Sequence, residues 1–211
     1  VNQAPRRLDA TEFGDSRIDE ILMLARDAFV EKGFDGASMQ DLARAAGMSA
    51  GNFYRYFSSK AAIVDAMVAR DLDEIDREFA QISAAENPID SLRSLLWSRI
   101  SGIDCEKDYS LWSDIMAAAN RKPEVAQVLA RMEAQVCTRL TQLFALLSGT
   151  DEATAYQRYM AHARLVFLMV RGVALENINR KTTDSDLAAL IMRTIDGLVD
   201  EIAQGKTGDT R

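Results

Sequence analysis

The chain has 211 residues, of which 48% are hydrophobic and 27% charged, with 11 glycines, 3 prolines and a formal charge of −7. At roughly 150 residues per domain this is one domain or two small ones, long enough to bury a core without staples. Fibrous, collagen-like and low-complexity chains are excluded, and the acidity argues against a protein that coats nucleic acid through bulk charge.

The longest near-apolar stretch, Leu165 to Leu175, is interrupted by Arg171 and falls short of the ~18 residues of a membrane span. The segment Val1 to Arg7 lacks the apolar run of a secretory signal, so the chain reads as soluble. Cys105 and Cys137 show no metal-type spacing and read as ordinary thiols of a cytoplasmic protein, with a disulfide as the lesser alternative. Charge is distributed unevenly. Residues 1–60 carry 8 Lys/Arg and 9 Asp/Glu, the remainder 17 and 23, so the acidity belongs mainly to residues 61–211.

Helical periodicity runs almost from end to end. Ile18, Ile21, Leu22, Ala25 and Phe29 fall on one face of a first helix, which Gly33 closes. Ser38 and Asp41 form a capping box for a short second helix, ended by Gly47. Ser49 caps a third helix carrying Phe53 and Phe57 inward. Ser58 or Ser59 opens a fourth, with the stripe Val64, Val68, Leu72, Ile75, Phe79 and Ile82. Asn87-Pro88 is a cap followed by proline at the first helical position; Ile89, Leu92, Leu96, Ile100 and Ile103 continue that helix. A shorter helix spans about Tyr109 to Asn120. Pro123 starts another, with Val125, Val128, Leu129, Met132, Val136, Leu140, Leu143 and Leu147 inward, up to Gly149. Two more follow near 153–178 and 184–204, the last introduced by Thr183-x-x-Asp186. No alternating β-branched run or Asn-Gly hairpin occurs, so the class is all-α with about nine helices. Residues 1–15 and 205–211 are expected to fray as a flexible arm and tail.

Residues 38–57 carry the sharpest signal, two short helices joined by Gly47-Met48-Ser49. This is a helix-turn-helix pattern in which Gly47 permits positive φ and Met48 plugs the angle between the helices. The second helix of such a pair enters the major groove. Ala50 and Gly51 permit close approach, and Asn52 suits a base edge. Tyr54, Arg55 and Tyr56 suit phosphate, and Lys60, at the start of the fourth helix, suits an anion. No acid lies between Leu42 and Val64, although Ala153 to Leu175 is equally acid-free.

The runs from Ala28 to Ser38, Asp41 to Ser49 and Gly51 to Lys60 resemble the TetR family of transcriptional regulators over roughly residues 17–67. That resemblance implies phosphate contacts from Ser38, Ser49, Tyr54, Tyr56 and Lys60, and a base or groove-wall role for Gln40, Arg44, Ala50, Asn52 and Arg55. The family usually places an acid after the lysine, where this chain has Ala61-Ala62. It further implies a helix-turn-helix DNA-binding domain over 16–60, then a helical domain over 61–204 for dimerisation and effector binding. Arg6 and Arg7 read as a solvated tail or as an arm for the minor groove.

Apolar stripes on the last two helices suit a four-helix dimer interface: Tyr159, Val166, Val170 and Val173 on one, Leu187, Leu190, Ile191, Ile195, Leu198 and Ile202 on the other. Burial inside one subunit is the alternative. Candidate effector-pocket residues are Trp97, Tyr109, Trp112, Met116, Met132, Phe144 and Phe167, with Arg164 for an anionic group; Met169 adds adaptable surface. Arg158, Arg164 and Arg171 otherwise pair with acids such as Glu152, Glu176 or Asp186. His162, the chain's one histidine, reads as structural or as a pH sensor. A single histidine excludes HExxH, and GxxxxGK[ST] and GxGxxG are absent, so no catalytic residue, cofactor or metal is assigned. The expected function is a dimeric repressor released from a palindromic operator in double-stranded DNA by a small, largely apolar effector. The alternatives are a helical protein-interaction module and an activator without an effector.

Overall fold

Helix boundaries follow local chemistry at each junction of the computed structural model, which describes residues 10–101, 106–180 and 184–205. Among the described residues there are nine helices and no strands: α1 (Ala10–Lys32), α2 (Met39–Ala45), α3 (Ala50–Tyr56), α4 (Lys60–Ala84), α5 (Pro88–Ser101), α6 (Glu106–Ala119), α7 (Pro123–Ser148), α8 (Glu152–Arg180) and α9 (Ser185–Ala203). The all-α expectation holds. Helix α1 starts at Ala10, six residues ahead of where periodicity predicts order. Arg6, Arg7, Cys105 and the tail beyond Gly205 lie outside the described residues.

The chain divides into two units between Met67 and Val68, inside α4. In the first, Ile21, Ala25 and Phe29 of α1 are fully buried with Leu42 of α2, Phe53 of α3 and Ile63 and Val64 of α4. Gly33 (φ 74°) and Gly47 (φ 65°) occupy the left-handed region that side chains resist, and they turn the chain out of α1 and α2. Ser59, not Ser58, caps α4, its hydroxyl accepting from the Ala62 N–H at 3.1 Å.

In the second unit α7 runs alongside α8, and the connection from Gly149 to Asp151 makes them antiparallel neighbours. Val136, Leu140, Leu143 and Phe144 of α7 bury against Tyr159, Ala163, Val166 and Val173 of α8, with the Phe144 and Tyr159 rings edge to face. Helices α5, α6 and α9 pack around that pair. The cap of α9 is Asp184, which accepts from the N–H groups of Asp186 and Leu187, where the sequence pointed to Thr183. Ion pairs tie the helices across their rims: Arg139 to Asp76, Arg99 to Glu78 at 2.5 Å, and Arg93 to Asp200 at 2.6 Å. Cys137 is a buried free thiol, its pKa pushed up by burial. No described helix is long and apolar enough to cross a membrane.

Candidate nucleic-acid interface

Helix α3 has only seven residues, so its conformation depends on what lies beneath it. Phe53 is fully buried and Phe57 nearly so, their ring centroids 5.7 Å apart. Ser49 caps its first turn, accepting from the Asn52 N–H at 3.3 Å. With one side fixed by aromatic packing, the other presents Gly51, Asn52, Tyr54, Arg55 and Tyr56 to solvent. Tyr54 and Tyr56 are 50% and 45% exposed, unusual for rings that gain most from burial. A Cβ added at Gly51 would meet nothing within 4 Å. The fold itself therefore gives no steric reason for glycine there, although glycine weakens a helix. Ala50 is half-buried at the start of the same helix.

Helix α2 places Gln40 and Arg44 outward. Its capping box is complete: Ser38 Oγ accepts from the Asp41 N–H, and Asp41 Oδ2 accepts from the Ser38 N–H at 3.0 Å. Asp41 Oδ1 also receives Lys32 Nζ at 2.5 Å. Hydrogen bonds from Lys32 and then Ser38 hold the Asp41 carboxyl well below the usual carboxylate range. The one acid of α2 is thus neutralised locally, and the outward cations are Arg44 and Arg55.

Two of the predicted phosphate contacts have hydrogen-bond partners within the protein. The Ser38 hydroxyl donates to Asp41 Oδ2 at 2.5 Å, so its proton is committed inside the capping box. Lys60 turns its ammonium onto three main-chain carbonyls, those of Phe34 (2.6 Å), Asp35 (3.1 Å) and Ala37 (3.0 Å). It also lies 5.0 Å from the centroid of the Phe34 ring. An ammonium has three N–H groups. Sequence reasoning passed over Lys32 and Gly36, although two glycines within Gly33-Phe-Asp-Gly36 signal a tight turn.

The predicted effector residues differ in burial. Trp112, Met116, Met132, Phe167 and Met169 are half-buried on α6, α7 and α8. Phe144 is buried, its ring edge to face with that of Tyr159. Trp97 is 44% exposed on α5. The Tyr109 side chain lies outside the described residues. Arg164 is exposed and pairs with Glu133 at 3.2 Å. Arg171 reaches the same Glu133 at 3.9 Å and donates to Met116 Sδ. Glu133 is thus an arginine partner that the sequence did not single out. An open groove between α4 and α5, lined by Glu78, Gln81, Ile82, Glu86, Asp90 and Ser94 among others, contains none of the predicted residues.

Two polar atoms in the second unit are buried without a hydrogen-bond partner among the described residues: Tyr159 Oη and His162 Nδ1, one turn apart on α8 with rings 5.6 Å apart. Two further buried atoms fail strict hydrogen-bond geometry, Arg93 Nε and Asp196 Oδ1, but they lie 3.0 Å from each other.

The α8–α9 stripes divide differently from the sequence reading. Tyr159, Val166 and Val173 point into the subunit, as do Ile195 and Ile202, while Val170, Ile191 and Leu198 are half-buried. The exposed stripe consists instead of Ala161, Leu165, Leu168 and Gly172 on α8 with Leu187, Leu190, Thr194 and Gly197 on α9.

Residues 21–67 match the model of bacterial regulatory proteins of the tetR family. The transcriptional repressor KstR2 of Mycolicibacterium smegmatis is 31% identical over 90 residues, which are 42% of this chain and 44% of that protein. The transcriptional regulator UidR of Escherichia coli is 30% identical over 113 residues, 52% of this chain and 55% of that one. The chain spans about half the length of the curated relatives it matches. Salmonella enterica GusR shares the fold, with TM-score 0.71 and 23% identity over 92% of this chain and all of that one. Bacillus subtilis FadR, solved in complex with stearoyl-CoA, gives TM-score 0.61 and 16% identity over 89% and 98%. Residues 21–67 thus match the helix-turn-helix head of the tetR family, and the chain shares its fold with Salmonella enterica GusR.

Proposed function

We propose that the chain is a cytoplasmic, dimeric, sequence-specific DNA-binding regulator, a repressor released from a palindromic operator by a small, largely apolar effector. The observation that carries the reading is the outward side of α3. Half-exposed Tyr54 and Tyr56, with Asn52 and Arg55, stand on a helix whose other side is locked by Phe53. Gly51, in open space, lets a groove wall approach the backbone. Asn52 suits adenine through a two-point hydrogen bond, while the tyrosines, Ser49 and Arg55 suit phosphate. Gln40, Arg44 and Ala50 flank them as groove-wall or base contacts.

Two-fold sites demand a two-fold protein. The exposed leucines of α8 and α9 supply a self-complementary apolar face, and Gly172 and Gly197 lie within it with open space where a Cβ would stand. For the effector, half-buried Trp112, Met116, Met132 and Phe167 offer apolar surface, and Tyr159 Oη and His162 Nδ1 offer hydrogen bonds to one polar group. The stearoyl-CoA held by the Bacillus neighbour is a precedent for a small ligand in this fold.

Selection of genomic DNA fragments by the wild type and by a Tyr54→Ala/Tyr56→Ala variant tests the reading. The expected result is a palindrome enriched by the first and lost by the second. Equal enrichment by both would remove α3 from the interface, and enrichment by neither from a folded dimer would remove DNA binding.

A further inference from the structure

We infer that Lys60 is a positioning residue, an ammonium lock that fixes the first turn of α4 to the α1–α2 connection and so sets the helix-turn-helix, without itself meeting DNA phosphate. The inference rests on the DNA-binding reading above and extends it to a residue that reading leaves aside.

Three carbonyls that converge on one ammonium do not arise by accident of a flexible surface lysine. The connection from Gly33 to Ala37 curls so that the oxygens of Phe34, Asp35 and Ala37 point to the same spot, each 2.6–3.1 Å from Nζ. Gly33 supplies the left-handed turn out of α1, at φ 74°. Gly36 supplies the tightness: a Cβ there would stand 2.4 Å from the Lys32 carbonyl oxygen. The Phe34 ring, fully packed on Phe29 with centroids 5.1 Å apart, forms a cation–π floor. These carbonyls follow the negative end of α1, where a cation is favoured.

The consequence is mechanical. The α1–α2 connection leads directly into the Ser38 cap of α2, and α2 holds α3 through the Gly47 turn. The other end of the lock is the first residue of α4. Through these connections Lys60 governs how Asn52, Tyr54 and Tyr56 are presented.

Phosphate contact and locking predict different salt behaviour. Each neutralised phosphate contributes about one unit to the slope of log affinity against log salt. We would measure binding to a fluorescein-labelled mixed-sequence duplex across a salt series, for the full-length wild type, Lys60→Met, Lys60→Arg and Gly36→Ala. The lock predicts that Lys60→Met weakens binding by about tenfold at every salt concentration with the slope unchanged, and that Lys60→Arg does not restore it, since a planar guanidinium does not reproduce a compact three-way donor. Gly36→Ala keeps every charge, forces the connection that carries these carbonyls away from the Lys32 carbonyl oxygen, and should reproduce the loss. It therefore decides the matter even if Lys60→Met fails to fold. A slope lowered by about one unit and rescued by arginine would overturn the inference in favour of phosphate contact. A lower melting temperature with unchanged affinity in the folded range would reduce Lys60 to a fold residue. Amine acetylation read by peptide mass spectrometry, without DNA, separates this from failure of the DNA reading: Lys60 should react far more slowly than Lys32. If the wild type binds no duplex while Lys60 stays protected, the DNA reading fails and the positioning role with it. Rapid acetylation of Lys60 would deny the lock itself.

Discussion

Leu168→Arg should convert the proposed α8–α9 dimer into monomers. Leu165, Leu168, Leu187 and Leu190 are each 39–52% exposed, so one protomer leaves nearly two leucine side chains' worth of apolar surface in water. A fully buried leucine contributes about 1.5–3 kcal/mol, so covering this surface on both protomers provides about 5–11 kcal/mol against the cost of association. Leu168 carries roughly a quarter of it. Two-fold symmetry doubles the effect of any substitution, and an arginine at this position would place a charge on each side of an apolar face. The expected loss is several kcal/mol, enough to raise the dissociation constant by about a hundredfold or more. Sedimentation velocity over a dilution series reads this directly, with circular dichroism confirming that the helices persist. A Leu168→Arg protein that stays dimeric at the wild type's lowest dimeric concentration would show that the α8–α9 stripe is not the interface. The control is Leu146→Arg, 52% exposed on α7 outside the stripe, which should leave the dimer intact.

Gly51→Ala should have opposed effects: the head becomes more resistant to heat, because alanine in a helix is favoured by about 1 kcal/mol, while DNA affinity falls as the methyl group intrudes on the groove wall. Thermal melts and fluorescence anisotropy on the same samples test it, and unchanged affinity would mean that nothing approaches the backbone there. The third prediction concerns pH. Asp41, Asp76 and Asp151 all titrate lower in the folded chain than free carboxyls do, held down by Lys32, Arg139 and Thr154 respectively. A depressed folded pKa stabilises above the unfolded value, near ~4, and that contribution fades as pH falls toward the folded value. Melting temperature should therefore fall below about pH 4, and Asp41→Asn should show a shallower fall than the wild type; an identical profile would mean that the Lys32–Asp41 contact does not persist in solution.

Much of the head was legible because its determinants are local. Ser38 and Asp41 sit three residues apart, and a capping box needs nothing further; Gly33, Gly47 and Gly149 mark left-handed ends that few other residues tolerate. Phe53 and Phe57 declare the buried side of α3, which leaves Asn52, Tyr54 and Arg55 outward by subtraction. The second unit yielded less, because α8 is apolar on more than one side. Periodicity identifies Tyr159, Val166, Val170 and Val173 as a stripe, but it does not assign them to core or partner. Only the packing against α7 does that. Effector residues are harder still: Phe144 and Phe167 are the same residue type, yet one is sealed against Tyr159 and the other half-open.

In the proposed lock, Lys60 has a role that its motif does not announce. A lysine at the start of a long helix, next to a DNA-reading element, has the charge and the place of a phosphate ligand, and no sequence pattern distinguishes one ammonium acceptor from another. The competing acceptors are main-chain oxygens, which every sequence has. They become a site only when a particular loop closes so that three of them converge. The residue that permits this is Gly36, 24 positions away, whose missing Cβ leaves room beside the Lys32 carbonyl. Charge in a motif therefore specifies that an anionic or carbonyl partner exists, whereas the backbone conformation of a different segment decides which. By the same reasoning, the cations of this head that remain candidates for DNA are those without such a cage: Arg44, on exposed α2 with only a 3.5 Å contact to Asp41, and Arg55, on the open side of α3.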